Sequence, residues 1–287
     1  MISPWDSTSH EHVYRSGIDS GEKLADASAD EPETSLTAAT ESHWPAPSTN
    51  LELAGDQVHV WCAVLDGLAS QLSALGEAIS ASEQRRAARF RLDRDRNRFI
   101  VRRGLLRRIL GRYLNVIPSR LSFTCESRGK PALTGTTEDE TLHFNLSHSD
   151  GLALFAVARR SSIGVDVERV RPIPETEQIA ARFFSPRESA VLNALPPEQM
   201  LEAFFNCWTR KEAYLKATGE GIADALAEIE VSLSPGPTAE ILRIAGDAQA
   251  ASLWALHPLA PAPGFVGALA VQAKGLKLVC RRWPEED

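Results

Sequence analysis

The chain has 287 residues, of which 43% are hydrophobic and 24% are charged, and its formal net charge is −7. This composition is typical of a globular protein with enough apolar residues for one or two cores. It excludes wholesale disorder, a collagen-like fibre and a small disulfide scaffold, and the length predicts two units or one large one.

Targeting signals and cysteine pairs are missing from the sequence. It has no apolar run of about 18 residues that would predict a transmembrane helix, and its first residues lack the basic start and apolar block of a secretory signal. The four cysteines are scattered and form no CxxC pair, which favours reduced thiols over a cysteine-based zinc site. We therefore expect a cytoplasmic protein without a membrane partner.

The negative charge is concentrated at the N-terminus. Residues 1–50 contain nine Asp and Glu against two Lys and Arg, together with 14 Ser and Thr, whereas the remaining residues balance to zero. Because this segment also lacks apolar periodicity, we interpret residues 1–50 as a disordered acidic leader.

Apolar alternation and β-rich composition predict a series of strands, most of them antiparallel. The turn between the second and third strands lies at residues 149–151. The predicted strands cover residues 58–65, 142–147, 152–158, 163–168, 229–233, 251–256 and 267–271.

Helix-start signals and 3.6-residue periodicity predict helices in the segments between these strands. Ser80 with Glu83, and Ser185 with Pro186 and Glu188, are N-terminal caps, and Gly219 suits a C-terminal cap. The predicted helices begin at residues 81, 97, 186 and 198, and the last of them ends at residue 218. Helices mixed with mostly antiparallel strands indicate an α+β fold.

Arginine is unusually dense between residues 85 and 112. This stretch contains twelve Arg and only two acidic residues, Asp93 and Asp95. Such a cluster requires either an anionic partner or buried ion pairs.

Asp166 and Glu168 are two residues apart on a predicted strand. The two-residue period places both carboxylates on one face. If that face lines a cleft, the carboxylates repel each other unless a cation lies between them, and an oxygen-only site favours Mg²⁺. A solvent-exposed strand face with ordinary acidic residues is the alternative.

The helix at 198–218 contains a second group of charged side chains. Glu212 and Lys216 share one helix face, so Glu212 is a candidate third metal ligand and Lys216 a candidate phosphate contact. The alternative is an ordinary surface pair of Glu and Lys four residues apart, which stabilises a helix only slightly.

Two further segments place polar groups in turns. Ser147 and His148 end a strand and can face an anion, but no Gly-x-Ser-x-Gly elbow surrounds the serine. Lys130 lies in a turn after Gly129. Walker A and dinucleotide-binding glycine patterns are absent from the sequence. The whole set of groups suits a polyphosphate ligand with Mg²⁺.

Four motifs occur in order along the chain. They are FNLSHS at 144–149, GVDVE at 164–168, RFFS at 182–185 and WTRKEAYLK at 208–216, preceded by Arg89-Phe90 and Gly129-Lys130-Pro131. This order resembles the Sfp-type 4′-phosphopantetheinyl transferases over about residues 56–272.

The resemblance implies a fold and an activity. The fold would consist of two similar α/β halves, residues 51–158 and 159–287, related by a pseudo-twofold with coenzyme A at their interface. The activity would be the Mg²⁺-dependent transfer of 4′-phosphopantetheine to a serine of an apo acyl, peptidyl or aryl carrier protein, with release of 3′,5′-ADP. The Sfp type further implies a monomer.

The resemblance also implies roles for the acidic and basic side chains of the second half. Asp166, Glu168 and Glu212 correspond to the Mg²⁺ ligands. Glu212 is the first candidate for the base that deprotonates the carrier serine, and Glu168 is the second. Lys216 corresponds to the residue that neutralises the phosphate and the leaving nucleotide.

Contacts to coenzyme A are implied for the first half. Lys130, Ser147 and His148 correspond to phosphate contacts. Arg91 and Arg98 are the candidates for the 3′-phosphate within the arginine-rich stretch.

Three alternatives remain at this point. The first is a Mg²⁺-dependent hydrolase of nucleotides with no protein acceptor. The second is a non-catalytic relative that binds coenzyme A and docks carrier proteins. The third is a nucleic-acid-binding protein that uses the arginine-rich helix, although the resemblance implies no nucleic-acid partner.

Overall fold

The structure is a computed structural model, which describes residues 44–46, 51–125, 130–134, 142–174, 176–219 and 226–284. The predicted leader thus lies outside the described residues except for 44–46, and so does Gly129. Within the described part, none of the helices has the length and hydropathy needed to cross a membrane.

The strands form two main sheets and two short hairpins. The first sheet has the order β11-β1-β5-β4, the second has the order β6-β10-β9, and β2–β3 and β7–β8 are the hairpins. The strands are β1 (Gln57–Val64), β2 (Phe123–Cys125), β3 (Pro131–Leu133), β4 (His143–Ser149), β5 (Leu152–Ala158), β6 (Ile163–Arg169), β7 (Ile229–Val231), β8 (Ile241–Ile244), β9 (Ala255–Leu259), β10 (Phe265–Val271) and β11 (Lys277–Arg282).

Two helices of 22 residues each cover the sheets. The α-helices are α1 (Leu72–Ala78), α2 (Ala81–Ala87), α3 (Asp93–Leu114), α4 (Thr176–Phe183), α5 (Pro186–Asn193), α6 (Pro197–Thr218) and α7 (Ala248–Ser252). Capping boxes at Ser80 and Ser185 and a left-handed Gly219 after α6 confirm the predicted helix ends. The α+β class is confirmed.

The core has layers in the order helix, sheet, sheet, helix. Apolar side chains of β1 and β5 such as Val60 and Leu154 pack against Val165 of β6 and Leu269 of β10. The opposite face of the first sheet packs on α3, and the opposite face of the second sheet packs on α6. Both sheets are therefore covered on two faces, which explains the nearly continuous apolar sequences of the central strands β5 and β10.

The sequence prediction did not contain α1, α4, β2, β3 or β8, and it began α3 at residue 97 rather than at Asp93. Two further differences concern the late strands. The strand predicted at 251–256 is wrong, because Asp247 caps the short helix α7 and the strand begins only at Ala255. The other is β11, which was not predicted and which pairs in parallel with β1, from Gln57 opposite Lys277 to Cys62 opposite Arg282.

Candidate functional site

The two main sheets meet where edge strand β4 lies beside edge strand β6. Side chains of β4 bridge the strands: Asn145 Oδ1 accepts a hydrogen bond from the Val165 amide at 2.9 Å, and Ser147 Oγ donates to Asp166 Oδ1 at 2.7 Å. Ser149 Oγ donates to Glu168 Oε2, also at 2.7 Å. Every second residue of β4 thus contacts β6, as the two-residue strand period requires.

Asp166 and Glu168 lie on the face of β6 that α6 covers. Their exposed fractions are 0% and 7%, while Val165 and Val167 enter the core between the sheets. The alternative of a solvent-exposed acidic face is therefore wrong. Burial of two carboxylates on one strand is costly without compensating positive charge, which distinguishes this pair from ordinary surface acids.

Gly164 allows α6 to approach β6 closely. A Cβ atom at this position would collide with the Ala213 carbonyl oxygen and the Ala217 amide nitrogen of α6. Because Gly164 and Asp166 share one strand face, the same approach brings Glu212 and Lys216 of α6 to the carboxylates of β6. Glu212 is completely buried, so the alternative of a surface Glu–Lys pair is also wrong.

Lys216 links the two strands and the helix. Its Nζ lies 2.6 Å from Asp166 Oδ1 and 3.1 Å from Ser147 Oγ. Burial opposes the charged form, but attraction to Asp166, Glu212 and Glu168 outweighs it and raises the pKa of Lys216. The Lys216 side chain therefore stays protonated among the three carboxylates.

The donor set suits a hard divalent cation, although the described residues do not form a ready-made metal centre. No group of three or more His, Cys, Asp or Glu within them has metal-binding geometry. Asp166, Glu168 and Glu212 nevertheless offer only oxygen ligands, and Lys216 contributes one positive charge against three carboxylates. Such a set fits Mg²⁺, which binds through a few carboxylates together with water and substrate phosphates.

Two of the predicted coenzyme A contacts, Lys130 and His148, lie outside this cluster. Lys130 Nζ donates to the carbonyl oxygens of Ile163 and Ala217, at 3.1 and 2.7 Å. Its ammonium thus lies between the start of β6 and the C-terminal end of α6. His148 occupies the face of β4 opposite Ser147 and is half-buried.

Arg91 and Arg98 flank the N-terminal end of α3. Arg91 is exposed in the loop before the helix. Arg98 Nε donates to Asp66 Oδ1 at 2.7 Å, and this hydrogen bond lowers the pKa of Asp66. A Cβ on Gly151 would lie 2.9 Å from Arg98 Nη2, so the guanidinium lies against the turn that follows β4.

Part of the arginine-rich stretch is neutralised within the fold. Arg103 and Arg107 both form ion pairs with Glu83, the capping residue of α2. Arg107 also donates to the carbonyl oxygens of Pro118 and Leu121. For these two residues the sequence prediction of buried ion pairs is confirmed.

Comparison with known proteins identifies the family. Residues 66–160 match the model of the 4′-phosphopantetheinyl transferase N-terminal domain, and residues 162–270 match the 4′-phosphopantetheinyl transferase superfamily. The protein named 4′-phosphopantetheinyl transferase HetI from Nostoc sp. (strain PCC 7120) is 46% identical over 232 residues, which are 81% of this chain and 94% of that protein. The chain belongs to the 4′-phosphopantetheinyl transferase family.

More distant relatives match part of the chain. 4′-phosphopantetheinyl transferase Sfp of Bacillus subtilis (strain 168) is 30% identical over 155 residues, covering 54% of this chain and 66% of Sfp. A human relative named L-aminoadipate-semialdehyde dehydrogenase-phosphopantetheinyl transferase is 26% identical over 166 residues, covering 55% of this chain and 54% of its own length.

Lys211, which precedes Glu212 in this transferase, is buried and contacts groups that belong to the fold. Its buried Nζ lies 2.6 Å from Glu188 Oε2 and donates to the carbonyl oxygens of Phe183 and Leu226. Glu188 in turn caps α5 through Ser185. The motif at 182–185 and the motif at 208–216 are thus joined by one buried ion pair, on the side of α6 away from the acidic cluster.

Sequence reasoning missed two residues that shape the site. Asn145 and Ser149 were inside a recognised motif but were assigned no role. Their spacing of two residues on either side of Ser147 was the available signal, because it places all three on one strand face. The partner strand of that face is a tertiary contact that the local sequence does not contain.

Proposed function

We propose that this chain transfers the 4′-phosphopantetheine group of coenzyme A to a serine of an apo acyl, peptidyl or aryl carrier protein. The observation that supports this most directly is the acidic cluster of Asp166, Glu168 and Glu212 around the ammonium of Lys216. Family membership indicates the reaction. The cluster contains carboxylates and an ammonium, which are the kinds of group that such a phosphate transfer needs.

The placement of the site supports binding of coenzyme A between two halves, residues 51–158 and 159–287. Ser147 belongs to the first half, whereas Asp166 and Lys216 belong to the second, and all three are hydrogen-bonded to one another. A ligand held by both halves would lie along the β4–β6 seam. A pseudo-twofold between the halves, a monomeric state and a cytoplasmic location are part of the same proposal.

The proposed reaction is a displacement at phosphorus. The carrier serine Oγ forms a bond to the phosphorus that bears the pantetheine arm, and the bond from that phosphorus to the bridging oxygen of the nucleotide breaks. The oxygen leaves with the bonding electrons as part of 3′,5′-ADP. The serine proton passes to a carboxylate, for which Glu212 is the first candidate and Glu168 the second.

Lys216 acts where negative charge increases. Its raised pKa keeps it an ammonium, and it can interact with the leaving phosphate without a change in protonation. Ser149 holds one oxygen of Glu168, which leaves that side chain less freedom to rotate. Lys130 and His148, with Arg91 and Arg98, are the proposed further contacts to coenzyme A.

Asp166, Glu168 and Glu212 would hold Mg²⁺. When bound, the ion would offset the charge of the pyrophosphate and favour its cleavage. Binding requires Asp166 to share its oxygens between the ion and Lys216, since Lys216 now lies 2.6 Å from Oδ1.

The test is mass spectrometry of an apo carrier protein incubated with the full chain, coenzyme A and Mg²⁺. A gain of roughly 340 Da that EDTA abolishes is the result expected for metal-assisted phosphopantetheine transfer. Asp166→Asn should lose the transfer while keeping its thermal stability. Glu198→Gln, an exposed acid on the same helix as Glu212, is the matched control and should react normally.

Other results would contradict the proposal in distinguishable ways. Consumption of coenzyme A without a carrier would indicate the hydrolase. Binding of coenzyme A and carrier without a mass gain on acyl, peptidyl or aryl carriers would indicate the non-catalytic relative. Normal transfer by Asp166→Asn would refute the assigned cluster.

A further inference from the structure

A cavity of about 630 Å³ lies at the C-terminal end of α3, beside the residue that follows the last strand. It has a basic side from the helix and an apolar side from the next loop and from Trp283. The side chains that form the two sides of this α3 cavity are Arg108, Arg112, Val116, Ile117, Pro118 and Trp283. Its volume is within the usual range for small-molecule sites, which are mostly apolar with a few polar groups.

The α3 cavity is remote from the candidate functional site. Arg98, near the N-terminal end of α3, lies against the turn after β4, whereas Arg112 lies 14 residues further along the same helix. At the helical rise per residue, this separates the two side chains by about 20 Å. A ligand in the α3 cavity would therefore not compete with coenzyme A, and its binding is independent of the proposed function.

The loop after α3 fixes the apolar side of the cavity. Asn115 has a left-handed backbone with a φ of 52°, and the amides of Asn115 and Val116 both donate to the Gly111 carbonyl oxygen. A Cβ on Gly111 would lie only 2.6 Å from the Val116 carbonyl oxygen, so the loop returns closely onto the helix. Val116 and Ile117 are nevertheless 40% and 55% exposed. A fixed loop thus presents two adjacent apolar side chains to solvent, as binding surfaces do.

The basic side carries charge that the fold does not neutralise. Arg108 Nη2 donates to the Ala74 carbonyl oxygen at 3.0 Å, its one hydrogen bond within the described residues. Arg112 forms no hydrogen bond or ion pair with any residue that the structure describes. The two arginines are four residues apart on one helix face, where like charges repel each other. None of the described residues that line the cavity is acidic.

We propose that the α3 cavity binds a small organic carboxylate with an apolar body. The carboxylate would lie between the guanidinium groups of Arg108 and Arg112, whose planar forks of donors match its two oxygens. The apolar body would cover Val116, Ile117 and Trp283 and so remove apolar surface from water. The negative end of the helix dipole gives the arginines some compensation, but it leaves the apolar side uncovered.

Calorimetric titration of the full chain with decanoate and with 2-naphthoate tests the site with a straight-chain and an aromatic probe. At least one of them should bind with one equivalent per chain. Acetate has the charge without the apolar body, and 1-decanol has an apolar body without the charge. Each should bind at least roughly tenfold more weakly, because each lacks one of the two kinds of contact.

Variants of the two sides should weaken binding of the probe. Arg112→Gln should do so by roughly tenfold, the effect of a lost charged hydrogen bond, and Ile117→Gln by roughly fivefold, through lost apolar contact. Arg120→Gln is the matched control for the first, since it changes an exposed arginine outside the cavity. Val191→Gln, which changes an exposed valine on α5, is the control for the second. Both controls should bind normally.

Four results would overturn the proposal. They are the absence of binding by both acids, equally strong binding of acetate or 1-decanol, binding that Arg112→Gln and Ile117→Gln leave unchanged, and displacement of the probe by coenzyme A. The last two would mean that the probe binds elsewhere. The measurements involve no carrier protein and no transfer, so this proposal and the proposed function can fail separately.

The chain's own acidic residues are the competing occupant. Glu285, Glu286 and Asp287 follow Trp283 and Pro284 in the sequence but lie outside the described residues. Replacement of all three by Gln should leave binding of the probe unchanged. Binding by this variant alone would assign the cavity to the chain itself and overturn the proposed ligand.

Discussion

At the scale of single residues, Lys211 forms a buried ion pair with Glu188 that stabilises the fold, whereas its neighbour Glu212 belongs to the proposed metal site. Both side chains are almost completely buried, and Glu188 also accepts a hydrogen bond from the Val231 amide at 2.8 Å. The pair therefore joins α5, α6 and β7.

Removal of Lys211 should destabilise the protein strongly. We expect Lys211→Met to lower the free energy of unfolding by about 3–5 kcal/mol, because it leaves Glu188 charged and buried. Adding Glu188→Gln should restore part of the loss, since the amide is neutral and its oxygen can still accept from Val231. Urea unfolding of the single and double variants measures this. Equal stability of Lys211→Met and the natural protein would refute the structural role.

His59 belongs to a second buried network, located in the first sheet. Its Nδ1 lies 2.7 Å from the Tyr113 hydroxyl, which also accepts from Trp61 Nε1 at 2.9 Å, and its Nε2 lies 3.1 Å from Gln57 Oε1. A neutral ring that accepts at Nδ1 and donates at Nε2 satisfies every partner. Burial and the charge of Arg281 lower the pKa of His59 from 6.5 to about 4.

The lowered pKa predicts a loss of stability in acid. Above pH 6.5 the ring is neutral in both states. As the pH falls towards 4, the unfolded chain takes up the proton first, so unfolding becomes easier by about 2 kcal/mol between pH 7 and pH 5. His59→Gln should flatten this part of the pH profile in urea unfolding. An unchanged slope in the variant would show that other groups cause the acid sensitivity.

At the scale of elements, the contact between β6 and α6 determines whether the site forms. Gly164 has no side chain at the place where the α6 backbone passes over the strand. We expect Gly164→Ala to push the helix away, to lower stability by about 1–3 kcal/mol and to weaken coenzyme A binding, because Lys216 then moves away from Asp166.

The matched control for Gly164→Ala is Gly76→Ala in α1. A Cβ at Gly76 would meet only Ile100 Cγ2, at an ordinary distance of 3.8 Å, and alanine favours the helix. Thermal melting and calorimetric titration with coenzyme A should show normal binding in Gly76→Ala. Normal binding in Gly164→Ala as well would mean that close approach of the helix is unnecessary.

The elements that could be predicted from the sequence are those with strong local signals. The strand at 152–158 and the ends of α5 and α6 follow from apolar runs, capping residues and Gly219, all of which are properties of adjacent residues. The helix α7 was predicted as a strand because its apolar residues continue directly into β9, and the cap at Asp247 was the signal against it.

At the scale of the whole molecule, the site depends on contacts that no local pattern contains. The face shared by Asp166 and Glu168 follows from the strand period, and that of Glu212 and Lys216 follows from the helix period. That these two faces meet, with β4 beside them, depends on the layered packing of the two sheets. In the sequence, only the order of the motifs shared with the family links these segments to one another.

The C-terminal strand β11 closes the first sheet from the far end of the chain. It runs parallel to β1, and the Trp283 amide that follows it donates to the Cys62 carbonyl at 2.8 Å. The Trp283 ring is buried 5.9 Å from the ring of Trp61 and donates through Nε1 to Gln71. The last strand of the chain is thus hydrogen-bonded to the first, although most of the chain separates them in sequence.

Truncation should show how strongly the sheet depends on this closure. We expect Trp283→Ala to cost about 3–5 kcal/mol, the usual effect of deleting a large buried aromatic side chain. A chain ending at residue 274 should lose cooperative unfolding, since it exposes the edge of β1 as well as the Trp283 pocket. Lys277→Gln, which changes an exposed residue of the same strand, is the control and should leave urea unfolding unchanged. If the chain ending at 274 unfolds at the same urea concentration as the natural protein, β11 does not contribute to stability, and β1, β5 and β4 are sufficient for a stable first sheet.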